Sequence, residues 1–368
     1  MKELIIGNLK IKNPIIQGGM GVCISLSGLA AAVANEGGVG VISAVGIGMT
    51  EPNYRSNFRE SNKIALRKEI RKARQNSDGV IGVNTMLAVS DFDDLLRVSI
   101  EEKVDIVFLT AGLPLKKPDI DLSILENTNT KFIPKVSSPR AASLIFQHWS
   151  DRYNRIPDAV VLEGPLSGGH LGFRRKVLEE NEILLTSLVK GTINELEPFK
   201  FKYGKEIPVI AAGGIYSGID IFEIMEAGAS AVKMGTRFVT THECDASDSF
   251  KQNYLKCSKE DITLIDSPVG LPGRVISNDF VQQIKMGKKK PINCPWKCLK
   301  TCNYANVQFC IAEALFNAAK GNFHDGFSFA GTNAYLANEI YSVKEVFDQL
   351  KSEFNQASLM MEKLSWSA

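Results

Sequence analysis

Short apolar runs alternate with amphipathic stretches over the first two thirds of this chain, and that alternation restricts its fold more than any other feature. The clearest case is residues 207–238. Residues 207–212, IPVIAA, have no polar face, as expected of a strand buried on both sides. The run stops at Gly213-Gly214, where the backbone can turn sharply and approach a ligand. A helix is expected over 217–227, with Ile221, Ile224 and Met225 on one face, closed by Gly228. A second strand, Ala231–Met234, ends in Gly235-Thr236-Arg237. Two neighbouring strand ends therefore carry glycines, main-chain N–H groups and one cation, the materials of a phosphate cradle.

Six further apolar runs precede this pair, at 11–16, 39–45, 80–87, 104–110, 131–136 and 158–162. Helices are expected between them at 26–35, 62–76, 91–102, 139–148 and about 180–190, with Ser90 or Asp91 as one N-cap and Pro139 opening another helix. Eight strand–helix units imply a parallel sheet, and that number favours a closed (β/α)8 TIM barrel, an α/β fold, over an open doubly wound sheet. In such a barrel, polar residues at the C-terminal strand ends face the active site, which collects Gln17, Asn84, Lys135, Glu163 and His170 on one rim. The barrel should occupy 1–243. Past it the alternation stops, so 244–310 reads as a small lid domain containing cysteines. Residues 311–368 are expected to pack back on the barrel as C-terminal helices, through a helix at 307–320 and a last one near 343–355.

The formal net charge of +2 gives no reason to expect nucleic acid, and the run Lys288-Lys289-Lys290 before Pro291 reads as a solvated loop. No apolar stretch approaches membrane-spanning length and the N-terminus lacks a signal core, so a cytoplasmic protein without a membrane partner is expected. A homodimer is left open. Seven cysteines, an odd count in a large chain, suit reduced thiols.

The sharpest chemical element is 163–172, EGPLSGGHLG. Two glycines before His170, just after a strand, place its imidazole on a mobile, open loop above the barrel mouth, where it can move a proton near neutral pH. His148, His242 and His324 lack such a context and read as structural or exposed. Lys135 can hold negative charge on a ring or phosphate, or neutralise a carboxylate in the mouth. The Asn84 amide both donates and accepts, which suits a heterocycle or a fixed rim. Cys23 reads as a pocket wall, since no base can be assigned to it. Cys294, Cys298, Cys302 and Cys310 could carry zinc or an iron–sulfur cluster, although their spacing is not that of the common knuckle, and no metal is assigned to them.

The runs IIQGGM (15–20), GVN (82–84), EGPLSGGHLG (163–172), AAGGI (211–215) and KMGTRF (233–238) together resemble the nitronate monooxygenase (2-nitropropane dioxygenase) family. That resemblance implies an FMN-dependent barrel with a small lid, acting on a small-molecule substrate. By position it implies FMN phosphate at Gly214 and at Gly235-Thr236. Gly19, Met20 and Asn84 would lie along the ring and ribityl chain, with Lys135 near the ring. Glu163, Gly169, Gly213 and Met234 complete the implied cofactor set, and His170 is the implied catalytic base or hydrogen-bond donor. The implied reaction is oxidation of an alkyl nitronate with dioxygen. The same pattern is shared by flavin-type enoyl-ACP reductases, which use NAD(P)H as electron donor. A non-redox phosphosugar barrel enzyme is a third possibility. Leu166-Ser167 stands where the family often has Glu-Ala, and residues 108–114 and 294–310 also depart from the common pattern.

Overall fold

In the computed structural model the apolar runs close into a barrel. The structure describes residues 1–116, 128–180, 182–288, 292, 294 and 296–366; Lys289, Lys290 and Pro291 of the lysine run lie outside them. A hairpin of β1 (Leu4–Ile6) and β2 (Leu9–Ile11) comes first. Then follow β3 (Ile15–Gln17), β4 (Val39–Ser43), β5 (Val80–Met86), β6 (Ile106–Thr110), β7 (Lys131–Val136) and β8 (Val160–Glu163). A two-residue strand, β9 (Gly169–His170), leaves the mouth before β10 (Val209–Ala212) and β11 (Ala231–Met234) return to it. Strands β3 to β8, β10 and β11 form one closed parallel barrel, with β11 pairing back on β3.

Two apolar layers result from the period-two alternation of the strands. Ile16, Val41, Phe108, Ile133, Val161, Ile210 and Ala231 fill the barrel interior. Leu4, Ile6 and Ile11 belong to the same cluster, so the hairpin plugs the end of the barrel remote from the glycine turns. The second layer lies between strands and helices. Gly40 is needed there because a Cβ would fall 1.8 Å from the Ala30 carbonyl oxygen of the Ser27–Asn35 helix.

Most expected elements form within a few residues of their expected bounds; three differ. The first barrel strand is Ile15–Gln17 rather than 11–16, because Ile11 is committed to the hairpin. The helix expected near 180–190 is Leu185–Tyr203 and runs through Pro198, ending at left-handed Gly204. Packing against Pro139–Tyr153, where the rings of Phe146 and Phe199 are 5.7 Å apart, outweighs the hydrogen bond that Pro198 removes. The last helix continues to Trp366, with Phe354 against Phe222 at 5.5 Å and Glu353 Oε2 accepting from the Gly218 amide at 2.6 Å.

Beyond the barrel, β12 (Ile262–Asp266) and β13 (Pro272–Ile276) pair antiparallel, and β13 also takes up β9, with Gly273 opposite His170. The helices Asp248–Leu255, Asp279–Lys285 and Ile311–Ala319 surround this small sheet in sequence. Among the described residues no helix is long and apolar enough to cross a membrane.

Candidate active site

A cavity of about 960 Å³ opens at the C-terminal end of the barrel, lined in part by the β9–β13 region. Its wall contains Gly19, Met20, Asn84, Lys135, Glu163, Gly169, His170, Gly213, Gly214, Met234, Gly235 and Thr236, so the twelve residues of the implied cofactor and catalytic set come together. Parallel strands in a barrel bring their C-terminal ends to one rim, which explains this convergence of residues from six strand ends and the strand that follows β8.

On one side the loop after β3 lies tight against β5. A Cβ on Gly19 would stand 2.3 Å from the Asn84 Cβ, so only glycine lets the loop lie there. Asn84 Nδ2 donates to Thr110 Oγ1 at 3.3 Å. Opposite, Lys135 Nζ donates to Glu163 Oε2 at 2.7 Å. The second reading of Lys135, neutralising a carboxylate in the mouth, is therefore the contact observed. Lys233 reaches the same wall from β11, with its Nζ 4.0 Å from the centre of the Phe108 ring. Burial, and then the charge of Lys135, push the Lys233 ammonium down to about 7, against an opposing pull from Glu163.

The turns after β10 and β11 form another side. Gly213 and Gly214 adopt φ of +99° and +78°, a region that favours glycine. A Cβ on Gly213 would fall 2.3 Å from Ser167 Oγ. Ser167 Oγ and Ser43 Oγ are buried without a hydrogen-bond partner, and both residues line the cavity. The loop carrying Gly331 closes over this region: Gly331 N–H donates to Thr236 Oγ1 at 3.0 Å and Asn333 Nδ2 donates to the Gly214 carbonyl at 2.8 Å.

His170 differs from its expected setting. It is half-buried in β9, paired to Gly273, rather than riding on an open mobile loop. Its Nε2 is 2.6 Å from Ser267 Oγ, and the Phe329 ring meets the imidazole edge-on at 4.8 Å. Burial, followed by the charge of Lys135, pushes the imidazole down to about 4. It is therefore neutral at pH 7 instead of titrating there. Arg274, buried in β13, holds the preceding loop by donating to the carbonyls of Pro165, at 2.7 Å, and Ser167.

Three sequence expectations fail here. Gln17 points into the barrel wall, where its Oε1 accepts from the Val41 amide at 2.8 Å, and it does not reach the cavity. The strand interior leaves a long polar side chain no route to the rim. Arg237 turns away to Gln349 and lies over the rings of Tyr216 and Tyr341, so it adds no cation to the glycine turns. Cys23 is buried behind the wall instead of forming it, and burial pushes its thiol up to about 12. None of His148, His242 and His324 lines the cavity.

Sequence reasoning missed Lys233, Ser167, Ser267, Arg274 and Phe329. A lone lysine in an otherwise apolar strand, sharing a face with inward Ala231, was a readable signal for Lys233. Ser267, Arg274 and Phe329 arrive by antiparallel pairing far along the chain, and nothing local marks them.

The family model described as "Nitronate monooxygenase" matches residues 2–353. A relative from Rhodococcus jostii (strain RHA1), "(3aS,4S,5R,7aS)-5-hydroxy-7a-methyl-1-oxo-octahydro-1H-indene-4-carboxyl-CoA dehydrogenase", is 27% identical over 75% of this chain; the match spans 65% of that relative's length. A "Probable nitronate monooxygenase" of Staphylococcus haemolyticus (strain JCSC1435) is 27% identical over 76% of this chain and 79% of its own. Among solved structures, FabK from Thermotoga maritima is 31% identical with a TM-score of 0.73, covering 97% of this chain and 96% of that one. With a match that runs through the barrel and the small sheet and into the last helix, the chain belongs to the nitronate monooxygenase family of oxidoreductases.

Proposed function

We propose that this protein is an FMN-dependent oxidoreductase that oxidises alkyl nitronates with dioxygen. The observation that carries the reading is the large cavity whose wall combines the two glycine turns with the Lys135–Glu163 pair, Lys233 and the His170 imidazole. The residues fit the cofactor. Gly213, Gly214, Gly235 and Thr236 offer backbone at a strand-end phosphate position, and the unpartnered Ser167 hydroxyl lies beside Gly213. Gly19, Met20 and Asn84 would line the ring and ribityl chain, with Glu163, Gly169 and Met234 completing the wall. When bound, FMN would take an electron pair from the substrate and return it to dioxygen.

The chain's own part is charge, orientation and exclusion of water. With Lys135 paired to Glu163, Lys233 is left to meet an anion, whose charge would favour the protonated form of the lysine. His170, neutral and with its basicity depressed, is a poor base for a carbon-bound proton. That suits a nitronate, which is already deprotonated, better than a neutral nitroalkane. In the tautomer whose Nε2 accepts from the Ser267 hydroxyl, Nδ1–H is left to donate to a nitro oxygen.

A second reading, reduction of an enoyl thioester with NAD(P)H, is favoured by the 31% identity to FabK along nearly the whole chain. The volume also supports it, since about 960 Å³ is at the upper end of the usual range for a single ligand. One experiment separates the two: the visible spectrum of the purified protein under anaerobic conditions, followed on adding a nitronate, NADH or NADPH separately. Bleaching by nitronate alone supports the oxidase reading. Bleaching only by a nicotinamide, with turnover stimulated by an enoyl thioester, supports the reductase. A colourless protein with no affinity for FMN overturns both.

A further inference from the structure

Cys23, Cys244 and Cys257 are buried in the core, but the other four cysteines are only half-buried and gather in one place. Cys294, Cys298, Cys302 and Cys310 all line a small cavity where the chain enters the Ile311–Ala319 helix. Among the described residues of the segment between the helices Asp279–Lys285 and Ile311–Ala319, no helix or strand is formed. It is tied to the barrel instead. Trp296 stacks on Phe58 at 4.9 Å, the Cys298 carbonyl accepts from Ser90 N–H at 3.0 Å, and Leu299 bridges to Val89. A segment with so little core gains stability from a cross-link, and four convergent thiols provide one when they hold metal.

Cys310 is the N-cap residue of the Ile311–Ala319 helix. Lys297 also lines the cavity and supplies positive charge to an anionic centre. The arrangement discriminates between metals. A zinc ion draws four sulfurs to within about 2.3 Å of one point. Among the described residues no group of three or more such side chains is set to hold a single ion. Four cysteines around one small void, with no three of them grouped for a single ion, match a ligand in which several irons and sulfides lie between them.

We propose that Cys294, Cys298, Cys302 and Cys310 ligate a [4Fe–4S] cluster. Two ferrous ions, two ferric ions and four sulfides come from outside the chain, so no electron is exchanged with the protein, and the four thiol protons leave to solvent. Cys298, Leu299 and Ile311 line both this cavity and the large one, so the cluster would stand against the wall of the active-site cavity. The site stands independently of the flavin reading, because its ligands come from the segment after the barrel.

The test uses the full chain purified anaerobically, with iron, acid-labile sulfide, zinc and flavin measured on one sample. About four irons and four sulfides per chain are expected. Cys294→Ser and Cys302→Ser, neither of which lines the large cavity, should lose the iron and sulfide while retaining the flavin content of the parent protein. Should a variant fold poorly, the parent protein is reconstituted with equal amounts of ferrous and ferric iron and with sulfide, and examined by EPR after dithionite reduction, where a cluster signal is expected. Absence of iron and sulfide both as purified and after reconstitution overturns the proposal. So does one zinc per chain, or two disulfides among these four thiols on alkylation and mass spectrometry.

Discussion

His170 Nε2 lies 2.6 Å from Ser267 Oγ, across 97 positions of sequence. The contact exists because β13 captures β9, so a strand from beyond the barrel decides how the imidazole presents itself to the cavity. His170→Ala should keep bound flavin and lose about 10²–10³-fold in turnover, the usual cost of one preorganised hydrogen-bond donor. Ser267→Ala should cost about tenfold through misorientation, near the net value of one hydrogen bond. Steady-state kinetics with flavin content measured in parallel checks both; full activity in His170→Ala would remove the residue from its assigned role.

The imidazole also sets a pH dependence. Its folded-state pKa, about 4, lies below the ordinary 6.5, because burial and Lys135 disfavour the charged ring. The unfolded chain therefore binds this proton first as pH falls, and stability drops between about 6.5 and 4. Thermal unfolding across that window should show a slope that His170→Gln reduces. Turnover governed by this group should stay level from neutral pH down to about 5.

Lys233 obeys the same linkage with different numbers. Its ammonium is pushed down to about 7 from 10.5, so the folded state disfavours the charge between those values. Lys233→Met should raise thermal stability near pH 7, by roughly 1–4 kcal/mol, as for other buried charges replaced by apolar side chains. The gain should shrink as pH rises towards 10.5, where the unfolded lysine is neutral too. Turnover on an anionic substrate should fall in the same variant. A stability gain independent of pH would show that packing rather than charge is responsible.

Gly213 and Gly214 both have positive φ, so Gly214→Ala should destabilise the fold by about 1–2 kcal/mol and weaken flavin retention on dialysis. A Cβ there would also press on Leu166 at 2.9–3.0 Å.

Ser167→Ala separates binding from folding. The hydroxyl has no partner within the protein, so its removal should leave apoprotein stability unchanged or slightly improved. Flavin affinity, followed by fluorescence titration, should fall about tenfold if that hydroxyl contacts the phosphate. Unaltered affinity would place the phosphate elsewhere.

Periodicity alone determined the barrel. Runs such as 209–212 and 231–234 are apolar on both faces, and only a parallel sheet covered by helices accommodates that pattern. Strand-end geometry then sufficed to gather Asn84, Lys135, Glu163 and the paired glycines, since every parallel strand delivers its last residue to one rim. Protonation states were not legible, because they depend on burial and neighbours that a sequence does not display: Lys135 meets Glu163, and His170 is neutral beneath Phe329. Long-range pairing was equally hidden. The register of β13 against β9, which brings Ser267 to His170, and the convergence of Cys310 with Cys294 are settled only when distant segments pack, since their contacts leave no periodic mark along the chain.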